Sequence, residues 1–403
     1  MDDFTGHPHH ASTTGQRPTH ARRRPRMGAL RVVTAITAVL LALLLGLITL
    51  SIIGYETGLV PFLTGLVVAA LPVPVYVMLA LWIDRYEAEP AWTLAVAFLW
   101  GALVAVFFAL IINSFGVRVV GATFGREAAS FYGLSVSAPI VEETFKALAL
   151  FLLFFWKRDE FDGIIDGIVY AAMVGLGFAM TENVKYYADA VAGGRAVGTF
   201  VVRGMFAPFA HPLFTSMTGI GLGIASQTAR RPVRYLMPLV GLLLAIVLHS
   251  SWNTSLYLSQ RSDNALLALL MYFAVMVPIF IGVLLTVFFA LRREGRVLRE
   301  HLHAEVACGL LTQEEYERVC TVRGRMAASF EALTRGGFSA WRARMQFHGT
   351  ASELAFHRNR VVRGYVARDG TEHERDAFYR RQLGELRSRL AEEDTRSSAK
   401  FST

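Results

Sequence analysis

Ala138-Pro139-Ile140-Val141-Glu142-Glu143-Thr144-Phe145-Lys146 lies inside an apolar run, about 134–156, that is long enough to cross a bilayer. Charged side chains in a spanning segment cost about 2.5–3.5 kcal/mol each on insertion scales, so they face a partner or a wet cavity. Two adjacent carboxylates make that cost worse. Lys146 lies at i+4 from Glu142 and i+3 from Glu143, one helical turn from both, and can neutralise one of them. One carboxylate is then left over, and a buried carboxylate without a partner can take a proton from water. A structural ion pair explains one glutamate and leaves the other unexplained, which favours a functional group.

Outward from this stretch the chain reads as membrane protein. It has 403 residues, 54% hydrophobic and only 18% charged, with a mean hydropathy of +0.41. Soluble domains carry about 25% charged residues. The deficit is concentrated between about 29 and 291, which excludes an ordinary soluble enzyme and a disordered chain. Two cysteines, Cys308 and Cys320, exclude a disulfide scaffold and a Cys-rich zinc module. Besides 134–156, apolar segments fall at about 29–53, 60–83, 91–112, 163–182, 203–226, 235–258 and 266–291, the fifth and sixth in chain order being the weakest. The expected fold is all-α, a polytopic membrane bundle of about eight transmembrane helices over 29–291. Residues 1–28 read as a disordered basic tail. Residues 292–403 read as a cytosolic, charged helical appendage with a loose end after about 390. Gly336-Gly337 and Asp369-Gly370 break that appendage, and Thr312 with Glu315 forms a capping box.

Arginine and lysine orient the bundle. The tail arginines, Arg85, Lys157 with Arg158, Arg230, Arg231, Arg234, Arg292, Arg293 and Arg296 fall on the side of the N-terminus. Fewer fall opposite: Arg118, Arg126, Lys185, Arg195, Arg203 and Arg261. The positive-inside rule then puts both termini in the cytoplasm of a multi-pass cell-membrane protein. The net charge of +8 sits mostly at the two ends. The basic C-terminal stretch is expected beside anionic lipid headgroups, with no nucleic acid as partner.

Other ionisable groups lie at membrane depth. The fifth span holds Asp162 and Asp166 at its start, where the helix dipole favours acids. Thr181-Glu182-Asn183 lie at its far end, with Gly163, Gly167, Gly175 and Gly177 between, and small residues let helices approach closely in lipid. The sixth span holds His211-Pro212-Leu213-Phe214-Thr215 and the seventh His249-Ser250-Ser251-Trp252-Asn253. His211 with Thr215 and His249 with Asn253 each share a helix face. Helical rise places Glu142 and Glu143 about 12–14 Å from the outer end of their span, His211 about 12 Å and His249 about 9–14 Å from it. Three helices therefore deliver Glu, His and His to one level, with Glu182 expected somewhat nearer the mouth. His7, His9, His10 and His20 lie in the tail, and His301, His303, Cys308 and Cys320 match no zinc spacing.

At these motifs the sequence resembles the PrsW family of bacterial intramembrane proteases. The resemblance rests on Glu142-Glu143-Thr144-Phe145-Lys146, on Asp166-Gly167-Ile168-Val169-Tyr170 running through Gly175-Leu176-Gly177-Phe178 to Thr181-Glu182-Asn183, and on the two histidine motifs. It covers about 60–290, and the Asp84–Pro90 turn is similar too. The family is similar in turn to the CAAX prenyl endopeptidases, where Arg stands in place of Lys146. The resemblance implies peptide-bond hydrolysis in or near the membrane, on a membrane-anchored protein such as an anti-sigma factor.

The expected chemistry uses Glu142 or Glu143 as general base, with Lys146 pairing the neighbour. His211 and His249 either hold a divalent metal, with Glu143 as third ligand, or donate to the oxyanion. Asn253 assists as a donor, and Glu182 belongs to the same set. Two His plus one Glu is a catalytic zinc set, but no His-Glu-x-x-His occurs, so zinc is not demanded. Two other classes use the same buried groups: a proton-coupled transporter, whose inverted repeats are not evident, and a non-catalytic membrane scaffold.

Overall fold

The computed structural model describes residues 29–157, 161–206, 209–363 and 372–401. The tail with its histidines, Arg158 and the Asp369-Gly370 pair lie outside the described residues. The membrane part contains α1 (Ala29–Thr57), α2 (Leu59–Ala70), α3 (Val73–Ile83), α4 (Ala91–Leu99), α5 (Val106–Phe124), α6 (Arg126–Phe131), α7 (Ala138–Trp156), α8 (Ile164–Ala192), α9 (Ala196–Phe200), α10 (Ala210–Ser226), α11 (Arg231–Arg261) and α12 (Ala265–Met271). α13 (Val277–Ala307) leads out of it, and α14 (Gln313–Val319), α15 (Val322–Val362) and α16 (Glu372–Phe401) follow. No strand occurs among the described residues. Two compact units divide within α1, Met1–Leu41 and Ala42–Thr403. In the first, Leu30, Val33, Ile36 and Leu40 are exposed, an apolar helix surface suited to lipid. The packing and the site described below lie in the second.

Six helical stretches are long and apolar enough to cross a membrane: Val32–Thr57, Leu59–Ile83, Ala91–Phe124, Ile164–Ala192, Arg231–Arg261 and Ala265–Ala307. Two of the eight expected spans, 134–156 and 203–226, do not reach that standard. α7 carries Glu142, Glu143 and Lys146 among its apolar residues, and α10 has 17 residues, fewer than the roughly 20 that a straight crossing needs. These are the helices that hold the acid pair and the first histidine. No break falls at 291–292; α13 runs from the last apolar stretch to Ala307.

α8 is the axis. Its apolar window is 89% buried, against 11–33% for the other five stretches, so protein surrounds it where lipid surrounds them. Glycine makes this possible. A Cβ on Gly167 would collide with the carbonyl oxygen of Gly219 on α10, and one on Gly219 with that of Gly167. A Cβ on Gly177 would collide with the carbonyl of Phe98 on α4. The obstacle is backbone each time, so no rotamer change relieves it. Gly167→Leu is expected to destabilise the fold by about 1–3 kcal/mol or more. Thermal unfolding of the detergent-purified protein would read this as a lower midpoint; an unchanged midpoint would mean that the helices do not touch there.

One end of the bundle is tied to the helices after 292. Arg325 of α15 is buried and donates to the carbonyls of Val319 and Arg85 and to Ser352. Arg360 bridges Glu87 (3.3 Å) and Asp162 (2.8 Å). Tyr86 packs with Val297, Leu298 and Cys320. Asp166 accepts from the backbone N–H groups of Asp162 (2.9 Å) and Gly163 (2.6 Å), so it acts as a helix-start acid. Thr312 and Glu315 form the reciprocal capping box at 2.8 and 3.1 Å. α15 kinks at Gly337, whose φ of 73° suits glycine.

Candidate active site

α7 follows a π-helical turn, Tyr132–Ser137, and starts on Ala138-Pro139. A π turn loosens the ordinary i→i−4 ladder and leaves carbonyls to find other donors. Two come from α11: Ser250 Oγ donates to the carbonyl of Ser135 at 2.5 Å, and Asn253 Nδ2 to that of Leu134 at 3.0 Å. α11 is thereby fastened to the start of α7, one helical turn from His249. Trp100 Nε1 holds the other flank through the carbonyl of Phe145 at 2.9 Å.

On this frame Glu142, Glu143 and Lys146 point inward, all buried. Lys146 Nζ lies 2.9 Å from Glu143 Oε1, 3.3 Å from Glu142 Oε2 and 2.9 Å from His211 Nδ1. Its fourth neighbour is the Phe178 ring, 3.8 Å away on α8. Lysine therefore serves both carboxylates, where the sequence suggested one. Glu143 is the more committed acid: Oε2 accepts from Thr215 Oγ1 at 2.9 Å, and Oε1 stands 3.0 Å from His249 Nδ1. Among the described residues Lys146 is the one donor to Glu142, and it reaches Oε2 alone.

Both imidazoles are held from behind by a carboxylate. His249 has Glu143 on Nδ1 (3.0 Å); His211 has Glu182 on Nε2 (3.0 Å). Each ring then turns its other nitrogen toward Glu142 Oε2, His211 Nδ1 at 4.0 Å and His249 Nε2 at 3.9 Å. The rings stand at 84° with centroids 5.2 Å apart, and Phe214 stacks on His249. Glu182 joins the cluster through His211, and its side chain is more exposed than those of Glu142 and Glu143. It also accepts from Arg203 at 3.1 Å, and Arg203 packs over Tyr186. Neither Arg203, counted among the outer arginines, nor Phe178, part of the Gly175–Phe178 motif, carries an expected site role. Phe178 carries a signal, being four residues before Glu182 on the same face; Arg203 carries none, since its pairing joins separate elements.

Asn253 is not turned into the cluster, because its amide is spent on the Leu134 carbonyl. Asn253→Ala is therefore expected to slow cleavage by less than about tenfold, whereas losing an oxyanion donor costs about 10²–10³. Steady-state rates on one substrate separate the two outcomes.

Glu142, His211 and His249 can each offer one ligand atom, all within 4.8 Å of one another. Tetrahedral zinc ligation at ~2.0–2.1 Å separates ligand atoms by roughly 3.3 Å, so side-chain closure would complete the set once Lys146 Nζ gives up its 2.9 Å contact with His211 Nδ1. A carboxylate on the far nitrogen of each metal-ligating histidine is the usual way to fix its tautomer and ring angle. The donors present thus suit a divalent metal, with Glu142 in the place that the sequence reading gave to Glu143. Glu143 stands behind His249.

Residues 89–283 match the PrsW family, described as intramembrane metalloproteases. The protease PrsW of Geobacillus kaustophilus is 32% identical over 178 residues, 44% of this chain and 73% of that protein. The proteases PrsW of Oceanobacillus iheyensis and Bacillus subtilis are each 28% identical, over 165 and 174 residues, or 41% and 42% of this chain and 70% and 72% of theirs. No solved structure matches the chain. The matched span holds all the helices that build the Glu–His cluster, and with six stretches fit to cross a bilayer the chain belongs to the PrsW family as a multi-pass intramembrane protease.

Proposed function

We propose that the chain cleaves membrane-anchored proteins, an anti-sigma factor being the substrate that its family resemblance suggests, through water activated at Glu142. The observation that carries this reading is the placement of Glu142 Oε2 at 4.0 and 3.9 Å from two imidazole nitrogens, each ring fixed by its own carboxylate. Nothing among the described residues donates to Glu142 Oε1, so that oxygen is available to a water. There it takes the water's proton as hydroxide attacks the scissile carbonyl, then passes it to the departing amine. Glu143 keeps His249 in register, Glu182 does the same for His211, and Lys146 with Arg203 offsets the three carboxylates. Glu142, His211 and His249 would hold a divalent cation, zinc by the chemistry of a two-His-one-Glu set. When bound, such an ion polarises the carbonyl and makes water more acidic. We place the protein in the cell membrane with both termini cytoplasmic, following the arginine distribution.

Reconstituted protein and a single-pass substrate test this reading. Cleavage should occur, stop on chelation and return with zinc. A transporter or a silent scaffold would show no cleavage at all, and cleavage indifferent to chelator would remove the metal.

A further inference from the structure

A cavity of about 890 Å³ lies where the membrane helices meet the helices after 292. It is within the size range of ligand sites. It is remote from the Glu–His cluster: Asp166 lines it, and Glu182 is sixteen residues further along α8, about 24 Å at helical rise.

Its walls differ in chemistry. The inner wall carries Asp84 and Asp166, both buried, with Glu87, Asp162 and Glu294 partly so. These acids are largely accounted for. Arg360 bridges Glu87 and Asp162, and Asp166 accepts two backbone N–H groups. Burial also pushes the Asp84 carboxyl up to about 7, which dilutes its negative charge at neutral pH. The outer part carries Arg234 of α11, Arg296 of α13, Arg363 after α15 and Arg375 of α16, all exposed. Among the described residues none of these four has a carboxylate partner. The remaining side is apolar. Phe289 lines the cavity yet is 61% exposed, and Leu285 and Phe288 beside it on α13 are also exposed. That face belongs to a stretch apolar enough to lie in lipid. The cavity therefore joins the lipid-facing surface sideways, with guanidiniums at its mouth.

We propose that this cavity binds the phosphate headgroup of an anionic phospholipid, which enters laterally past Phe289 and is held by Arg234, Arg296, Arg363 and Arg375. Guanidinium forks match phosphate oxygens, and basic pockets at the cytoplasmic ends of membrane helices take anionic headgroups. A soluble phosphate would use the arginines but not the exposed aromatic flank. The bound lipid would link the C-terminal helices to α11 and α13.

The test is lipid retention by the full-length, detergent-purified protein in native mass spectrometry, with phosphatidylglycerol and phosphatidylcholine as probes. The wild type should retain phosphatidylglycerol about tenfold or more over phosphatidylcholine, and Arg296→Gln/Arg363→Gln should abolish that preference. Arg234→Gln, on a different helix, should weaken it independently. All three sites are exposed, so thermal midpoints should stay near wild type. Equal retention of the two lipids, or undiminished preference in both variants, would overturn the proposal. So would complete displacement of the lipid by millimolar inorganic phosphate, which would make the occupant a soluble anion.

Discussion

Glu142→Gln is expected to lower the cleavage rate by about 10²–10⁴ while the protein accumulates at the wild-type level. That range is the usual worth of a positioned general base. The fold should survive because Lys146 keeps its shorter bond to Glu143 (2.9 Å) when the longer one to Glu142 (3.3 Å) is weakened. The variant removes one charge from a buried cluster that contains three carboxylates. Initial rates on a single-pass substrate at equal protein concentration measure the effect. Glu143→Gln should also lose activity, but by loosening His249, so its defect should appear alongside weaker metal retention. A Glu142→Gln protein that still cleaves at the wild-type rate would move the chemistry elsewhere.

The second large effect is on stability. Lys146 is fully buried and shared by Glu142, Glu143 and His211. Lys146→Met keeps approximate volume and the contact with Phe178 but removes the cation. Stripping one partner from a buried ion pair costs about 3–5 kcal/mol, since the remaining charge has no solvent. Here two adjacent carboxylates are stranded, so the upper part of that range is expected. Adding Glu143→Gln should recover part of the loss, with a coupling of about 0.5–3 kcal/mol. Thermal unfolding of the single and double variants in detergent decides it. If Lys146→Met melts with the wild type, the lysine is not the counter-charge.

The groups of the cluster were legible for one reason: ionisable residues in apolar runs are conspicuous. Glu142, Glu143, Lys146, His211 and His249 all stand out that way, and helical rise puts them at one level. Rise gives depth but not rotation about the helix axis. The sequence therefore left open which glutamate faces the imidazoles. It also left Asn253 free to point inward. Rotation is set by contacts between helices, such as the Gly167–Gly219 approach and the π turn that draws Ser250 and Asn253 onto α7. The expected spans 134–156 and 203–226 fall short for a related reason. The groups that make α7 and α10 chemically interesting also lower their apolarity or shorten them, so hydropathy is weakest where the chemistry is densest.

Zinc content of the purified full-length protein, measured beside that of Glu142→Gln, His211→Ala and His249→Ala, tests the convergence of these three groups most directly. About one equivalent in the wild type and strong loss in each variant, with each variant still folded at a somewhat lower thermal midpoint, is the result expected from a shared ligand set. An active wild type without metal, or any one of the three variants binding zinc as well as the wild type does, would contradict it.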